Sequence, residues 1–336
     1  MIRVLVALLA LLPFVTIPNG ASASTLERVQ EDGVVRCGVR ELGPALSYID
    51  EQGKWGGFYP DICRGIAAAV IGDEEGVEFV VTGSDDRFND LKEDRYDVLV
   101  ESTTWTLSRD TNGLTYMPLY LFDGQGFLYF KPSGIKTMAD LNNKRICVEG
   151  HTTSEINLID HNRTNTTNWD IRKFSTMEGT FSAFFDHQCD AISTDVLVLA
   201  SFRQALAPDP DQYAFVPERL SKEPLSAVVR DDDAQWADVI RWIVNALINA
   251  EELGVTSKNL VEMSNSKSPE INRLLGSEGD LGKKLGLDPR WAERVIRSTG
   301  NYGELFERTL GKHLKLERGI NDLWTKGGLI WSPPMH

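Results

Sequence analysis

From residue 34 the chain alternates short apolar runs with amphipathic segments, and it does so twice. VVRCGVR (34–40), VEFVV (77–81) and YDVLV (96–100) read as strands. Between them DICRGIAAAVIG (61–72) and SDDRFNDLKED (84–94) read as helices. Pro60 suits the first turn of the former, Gly72 its stop, and Ser84 can cap the latter. Strands separated by helices need crossover connections, so an α/β architecture with parallel strands is expected. TNGLTYMPLY (111–120) reads as a turn and then extended chain, after which the pattern restarts. FLYF (127–130), RICVE (145–149), IRKF (171–174) and CDAIST (189–194) read as strands. Helices are expected near Thr137, from Thr152 or Thr153, over TMEGTFSAFFDHQ and over VLVLASFRQAL. LSAVV (225–229) is one more strand, and the remainder is almost entirely helical, including the amphipathic WADVIRWIVNALINAEEL (236–253).

The first residues carry one arginine, a short apolar stretch broken by Pro13 and Pro18, and the small-residue site Ala21-Ser22-Ala23. This is the pattern of a secretory signal peptide over 1–23, and the apolar run is short for a membrane span of about 20 residues. Its removal takes the net charge from −14 to −15, because Arg3 is its only charged residue. So acidic a chain, with no basic patch, argues against nucleic acid as a partner. The remaining length favours two lobes over one.

Four cysteines, Cys37, Cys63, Cys147 and Cys189, suit an exported, oxidised protein. Three pairings are possible and sequence alone does not choose. The spacing hints at neighbours, Cys37 with Cys63 and Cys147 with Cys189, which would staple each half internally. Zinc is disfavoured by the lack of a C-x-x-C pair and the few histidines, and no metal or cofactor is expected.

Three polar clusters stand where strands end: STTWTLSR (102–109), HTTSE (151–155) and Thr194-Asp195. In open α/β sheets ligands bind outside the carboxyl ends of the strands. Arg109 offers a planar fork for a carboxylate, and Ser102 and Thr104 offer hydroxyls. Thr152 and Thr153, at a helix start, offer N–H donors to an anion, and Asp195 can pair with an ammonium. Carboxylate holders together with an ammonium holder describe an α-amino acid. Taken singly, Arg109 could be an ordinary surface residue and Asp195 a helix cap. Their conjunction carries the reading.

The phrases STTWTLSRDT, DGQGF, GHTTSEINL, CDAISTD, SKEPL, NALINAEELGVTS, GNYGELFER and LWTKGGLIWSPP resemble the general L-amino-acid-binding proteins of bacterial ABC uptake systems. That is the polar-amino-acid branch of the extracellular solute-binding proteins of family 3. The resemblance runs from about residue 25 to the C-terminus and includes all four cysteines. It implies a two-lobe, type II periplasmic-binding-protein fold with two hinge-crossing strands and a helical C-terminal extension. Lobe 1 would take 24–125 and the return segment 221–336, and lobe 2 would take 126–220, with crossings near Asp123–Phe127 and Pro217–Pro224. The resemblance gives Arg109 and Thr153 to the ligand carboxylate, and Asp195 and Thr104 to its ammonium. It implies a periplasmic protein that passes an L-amino acid to a membrane permease, and a monomer is expected.

Departures from that family cluster near the site. Glu101 stands where relatives have arginine, Glu149 where they have glutamine, and His151 where they have glycine. Ala45-Leu46 replaces Gly-Phe, and Tyr59 replaces an aspartate. Two added carboxylates and an imidazole lead us to expect a polar or cationic ligand side chain, with Glu101 and Glu149 in the pocket. Leu46, Trp55 and Phe58 are candidates for an apolar wall, and Trp105 for packing beneath the motif. One alternative is an exported dehydratase of a cyclic carboxylate, with Glu101 or Glu149 buried as a general acid. A sensor that docks on a chemoreceptor is another. A hydrolase is disfavoured because no G-x-S-x-G elbow is present.

Overall fold

The computed structural model describes residues 24–336, so the signal peptide over 1–23 and its cleavage after Ala23 lie outside the described residues. Twelve strands are formed among the described residues. The first five are β1 (Val35–Val39), the short hairpin strands β2 (Tyr48–Ile49) and β3 (Trp55–Gly56), β4 (Val77–Val81) and β5 (Val98–Leu99). There follow β6 (Leu114–Asp123), β7 (Gln125–Phe130), β8 (Arg145–Glu149), β9 (Asp170–Phe174) and β10 (Ala191–Asp195). The last two are β11 (Tyr213–Phe215) and β12 (Glu223–Arg230).

They build two five-stranded sheets, ordered β4-β1-β5-β12-β6 and β11-β7-β10-β8-β9. In each the helix-connected strands are parallel: β1 with β4 and β5, and β8 with β9 and β10. The parallel strands therefore end together, as crossover connections require. In the second sheet β8 and β10 are buried nearly throughout, the continuous apolar pattern of strands covered on both faces.

Helix placement follows local signals. α1 (Thr25–Asp32) opens on a capping box between Ser24 and Glu27. α2 (Phe58–Val70) lays its apolar face on the first sheet, where Cys63 is bonded to Cys37 of β1. α3 (Arg87–Lys92) starts later than expected, with Asp86 at its N-cap. Ser84, the expected cap, is turned inward and its hydroxyl has no partner, so it cannot serve the helix. α4 (Leu107–Asp110) is a single turn capped by Thr106. α5 (Thr153–Asn165) is capped by Thr152, and α6 (Met177–Phe185) by Thr176. α7 (Val196–Leu206) follows β10 without a break. Cys147 of β8 is bonded to Cys189, just ahead of β10.

α8 (Ala234–Glu252) buries Trp236, Ile240, Ile243 and Leu247 against the first sheet, and its Trp236 indole donates to the Asp97 carbonyl at 2.8 Å. Later helices, including Trp291–Thr299, close over α2 and α8. The Asn321 side chain bonds both the N–H (2.6 Å) and the carbonyl (2.9 Å) of Phe122, which covers part of the edge strand β6.

The chain passes between the sheets twice. β6 ends at Asp123 in the first sheet and β7 begins at Gln125 in the second, with only Gly124 between. It returns after β11 through residues 216–222 into β12, whose Glu223 is paired with Asp123. A side chain at Gly124 would put its Cβ 2.8 Å from the Ser221 carbonyl oxygen, so the two passages touch only because that residue is glycine.

Candidate functional site

The carboxyl ends of the parallel strands in the two sheets face each other, and a narrow crevice lies between them. Its wall includes Ser102, Thr104 and Arg109 from beyond β5, Thr152 and Thr153 from beyond β8, and Thr194 and Asp195 from the end of β10. The three polar clusters read from the sequence thus come together in space. A larger groove, about 560 Å³, lies among Asn249, Trp324 and Trp331, but it lacks the opposed guanidinium and carboxylate groups found here.

Arg109 is aimed by α4 and by a bond from its guanidinium to the Thr104 carbonyl at 2.9 Å. Its guanidinium carbon lies 5.1 Å from the centre of the Phe88 ring, and that of Arg87 lies 4.9 Å from the same ring. Burial, and then the neighbouring Arg87, weaken the hold of Arg109 on its proton. Among the described residues no carboxylate lies within salt-bridge distance of it. An anion placed there would therefore complete the site.

Thr104 and Thr153 meet across the crevice, hydroxyl to hydroxyl, at 3.4 Å. Both donate to Glu223, Thr153 at 3.2 Å. The Thr152 hydroxyl accepts from the Glu155 N–H and donates to the Glu149 carbonyl. That leaves first-turn N–H groups of α5 without helical partners beside Arg109. Ser102 bonds the Tyr59 hydroxyl at 2.8 Å.

Asp195 is 6% exposed, and no cation among the described residues pairs with it. Burial, reinforced by Asp123, Glu223 and Glu101, pushes its carboxyl well above the usual range. Burial likewise raises Asp123 to about 7, although N–H groups of Leu197 and Gly124 bond its carboxylate. A buried carboxylate crowded by others favours a cation. The crevice thus holds one guanidinium and one carboxyl that lack a partner of opposite charge.

Glu101 and Glu149 are both buried, and the structure changes the meaning first given to them. One guanidinium nitrogen of Arg40 lies 2.6 and 2.7 Å from the two Glu149 oxygens, and the other lies 3.5 Å from Glu101. Arg87 pairs with Glu101 at 2.9 Å, and Thr103 donates to it. Burial opposes ionisation of Glu101, but Arg87, Arg40 and the Thr103 bond together hold its pKa below the ordinary value. A carboxylate so held is no general acid, which removes Glu101 from that role in the dehydratase alternative. Both carboxylates are already matched by arginine, which also removes the reason for expecting a cationic bias.

Several flanking expectations are corrected as well. Ala45, Leu46 and Phe58 are fully buried in the core, and the apolar wall comes from Leu42, Met177 and Val198. Trp55 lies outside the crevice against Phe79. Trp105, expected to pack at the motif and not on the ligand, does lie outside the crevice, stacked on Tyr116. His151 is exposed and sits 3.6 Å from Asp85, with a φ of 58° that explains why a glycine suits this position. Arg40, Arg87, Asp123 and Glu223 were not singled out by sequence reasoning. Arg40 ends the first strand, so the strand-end rule would have found it.

Residues 35–260, two thirds of the chain, match the family model described as bacterial extracellular solute-binding proteins, family 3. The chain belongs to this family. Relatives align with nearly its whole length. It is 42% identical over 323 residues to the general L-amino acid-binding periplasmic protein AapJ of Rhizobium johnstonii, spanning 95% of this chain and 94% of the relative. It is 41% identical over 324 residues to the glutamate/glutamine/aspartate/asparagine-binding protein BztA of Rhodobacter capsulatus, spanning 95% and 96%. A solved periplasmic binding protein from Brucella ovis with glutathione bound superimposes with a TM-score of 0.91 at 41% identity, covering 94% of this chain and all of that one. This family 3 protein therefore has the α/β periplasmic-binding-protein fold, and it is a solute-binding protein rather than an enzyme.

Proposed function

We propose that this protein captures an L-α-amino acid, or a compound with an α-amino-acid head, in the periplasm and delivers it to the permease of an ABC importer. The observation that carries the proposal is the unpaired, half-buried Arg109 guanidinium and the unpaired, buried Asp195 carboxyl on one crevice, with the Thr104 and Thr153 hydroxyls between the sheets. The α-carboxylate would lie on Arg109 and the N-terminus of α5, and the α-ammonium on Asp195 beside Thr104. Glutathione presents such a head at its γ-glutamyl end, so the ligands of these relatives fit one shared recognition chemistry.

The mechanism is closure. Residues 24–123 and 223–336 form one lobe and 125–215 the other, joined by the passages at Gly124 and 216–222. An amino acid gains contacts from both lobes only when they meet, so it shifts the population toward the closed form. The mature chain begins after Ala23 and works as a monomer.

The test is calorimetry on mature protein that has been unfolded and refolded to strip carried ligand, titrated with each common L-amino acid. Saturable one-to-one binding is expected. Arg109→Met should weaken the best ligand by about 2–5 kcal/mol, the cost of truncating one partner of a buried charged pair. Folded protein that binds no amino acid, or binding that Arg109→Met leaves unchanged, overturns the proposal.

A further inference from the structure

The head of the ligand, on the reading above, uses Arg109 and Asp195. The rest of the crevice wall that carries charge is Arg40, Arg87 and Glu149, with Glu101 directly behind. These four residues form a linear circuit, Glu149–Arg40–Glu101–Arg87, of two positive and two negative groups. Arg40 bonds Glu149 and Glu101, and Arg87 bonds Glu101. All four are at most 8% exposed in their side chains. Asp123 and Glu223 crowd the Asp195 end, whereas the carboxylates that act on Arg40 are Glu101 and Glu149.

From this charge arrangement we infer that Arg40 and Glu149 together are the specificity-determining pair of the site, and that they select a ligand whose side chain is uncharged and hydrogen-bonding. The class is that of glutamine, asparagine and γ-glutamyl amides. The inference rests on the amino-acid reading of the same crevice. Arg40 by itself would receive a side-chain carboxylate, and Glu149 by itself a side-chain ammonium. Each instead satisfies the other across the two sheets. A ligand bringing a further charge must either break that pair or remain buried without a counter-charge, and both outcomes are costly. An amide can donate and accept at the edge of the pair without adding charge. Specificity here arises from what the site rejects as much as from what it holds.

The experiment is calorimetry of the refolded protein with L-glutamine, L-glutamate and L-lysine. The wild type should bind glutamine at least roughly tenfold more tightly than either charged ligand, since an uncompensated buried charge costs more than one decade of affinity. Glu149→Gln leaves the circuit with one excess positive charge, and the glutamate-to-glutamine affinity ratio should rise by about tenfold or more. The double variant Arg40→Gln with Glu149→Gln restores neutrality, does not bury an unpaired charge, and should return that ratio to within about threefold of the wild type. A wild type that prefers glutamate or lysine overturns the inference. So does Glu149→Gln or the double variant with a ratio other than the one expected. In those cases amino-acid capture itself stands. A wild type that binds no amino acid at all overturns both readings.

Discussion

Asp195 and Asp123 share the buried end of β10 and the first passage between the sheets, and both are pushed above the ordinary carboxylate range. A raised carboxyl pKa means that the folded, closed arrangement holds protons that an exposed aspartate would release. Its contribution to stability is full below the ordinary aspartate value and is lost as pH rises through the raised one, about 7 for Asp123. An ammonium on Asp195 favours the ionised form, so ligand capture should expel a proton. Affinity should therefore rise with pH and flatten once the raised carboxyls are ionised. Calorimetry in buffers of different ionisation enthalpy at fixed pH would register the released proton. Asp195→Asn should abolish that release. Proton uptake, or a flat pH profile, would refute the assignment. Single residues were also where sequence reasoning reached furthest and failed most. Ser102, Thr104, Arg109, Thr152, Thr153 and Asp195 all reach one crevice because each stands at a strand end. The role of Glu101 and Glu149 was misread because their partner Arg40 lies 61 and 109 residues away in sequence, and charge pairing over such separations has no local signal.

At the scale of elements the disulfides are the plainest case of local reinforcement. Cys37–Cys63 ties β1 to α2, and Cys147–Cys189 ties β8 to the residues just ahead of β10, so neither links the two sheets. They close loops of 26 and 42 residues, for which chain entropy gives about 3.5 and about 4 kcal/mol. Cys147→Ser with Cys189→Ser should lower the urea unfolding free energy by roughly that second amount. Amino-acid affinity well below the midpoint should change by less than about threefold, because neither cysteine borders the crevice. A larger affinity loss with unchanged stability would show that the bridge shapes the site. Elements with strong boundaries were legible from sequence: RICVE became β8 over the same residues, and Thr152 and Thr176 cap α5 and α6. YDVLV was less legible because only Val98–Leu99 are paired as strand, although Asp97 and Val100 still donate to β1. α3 was misplaced because Ser84 packs inward, a choice made by tertiary contacts and not by the local pattern.

For the whole molecule the decisive property is that several contacts exist only when the two sheets meet. Besides Arg40–Glu149 and Thr104–Thr153, the Ala45 N–H reaches the Ser201 hydroxyl at 3.4 Å, joining the loop after β1 to α7. Gly43 lies in the same loop with a φ of 89°. A Cβ added there would stand 3.0 Å from the Ser201 Cβ and 3.3 Å from its carbonyl carbon. Gly43→Ala therefore introduces two penalties that separate cleanly. The backbone strain of alanine at positive φ is present whether the lobes are apart or together, so it lowers stability and cancels in binding. The clash with Ser201 exists only on closure, and overpacking of this kind costs about 1–3 kcal/mol. Ligand affinity should fall by roughly 5- to 150-fold, with one-to-one stoichiometry retained. Small-angle scattering should show the mutant more extended than the wild type at equal, sub-saturating ligand, and equally compact at saturation. Adding Ser201→Gly should recover most of the affinity while leaving the stability loss from Gly43→Ala in place. Wild-type affinity in Gly43→Ala would mean that the loop after β1 and α7 do not approach during capture, and closure around the crevice would have to be abandoned as the binding step.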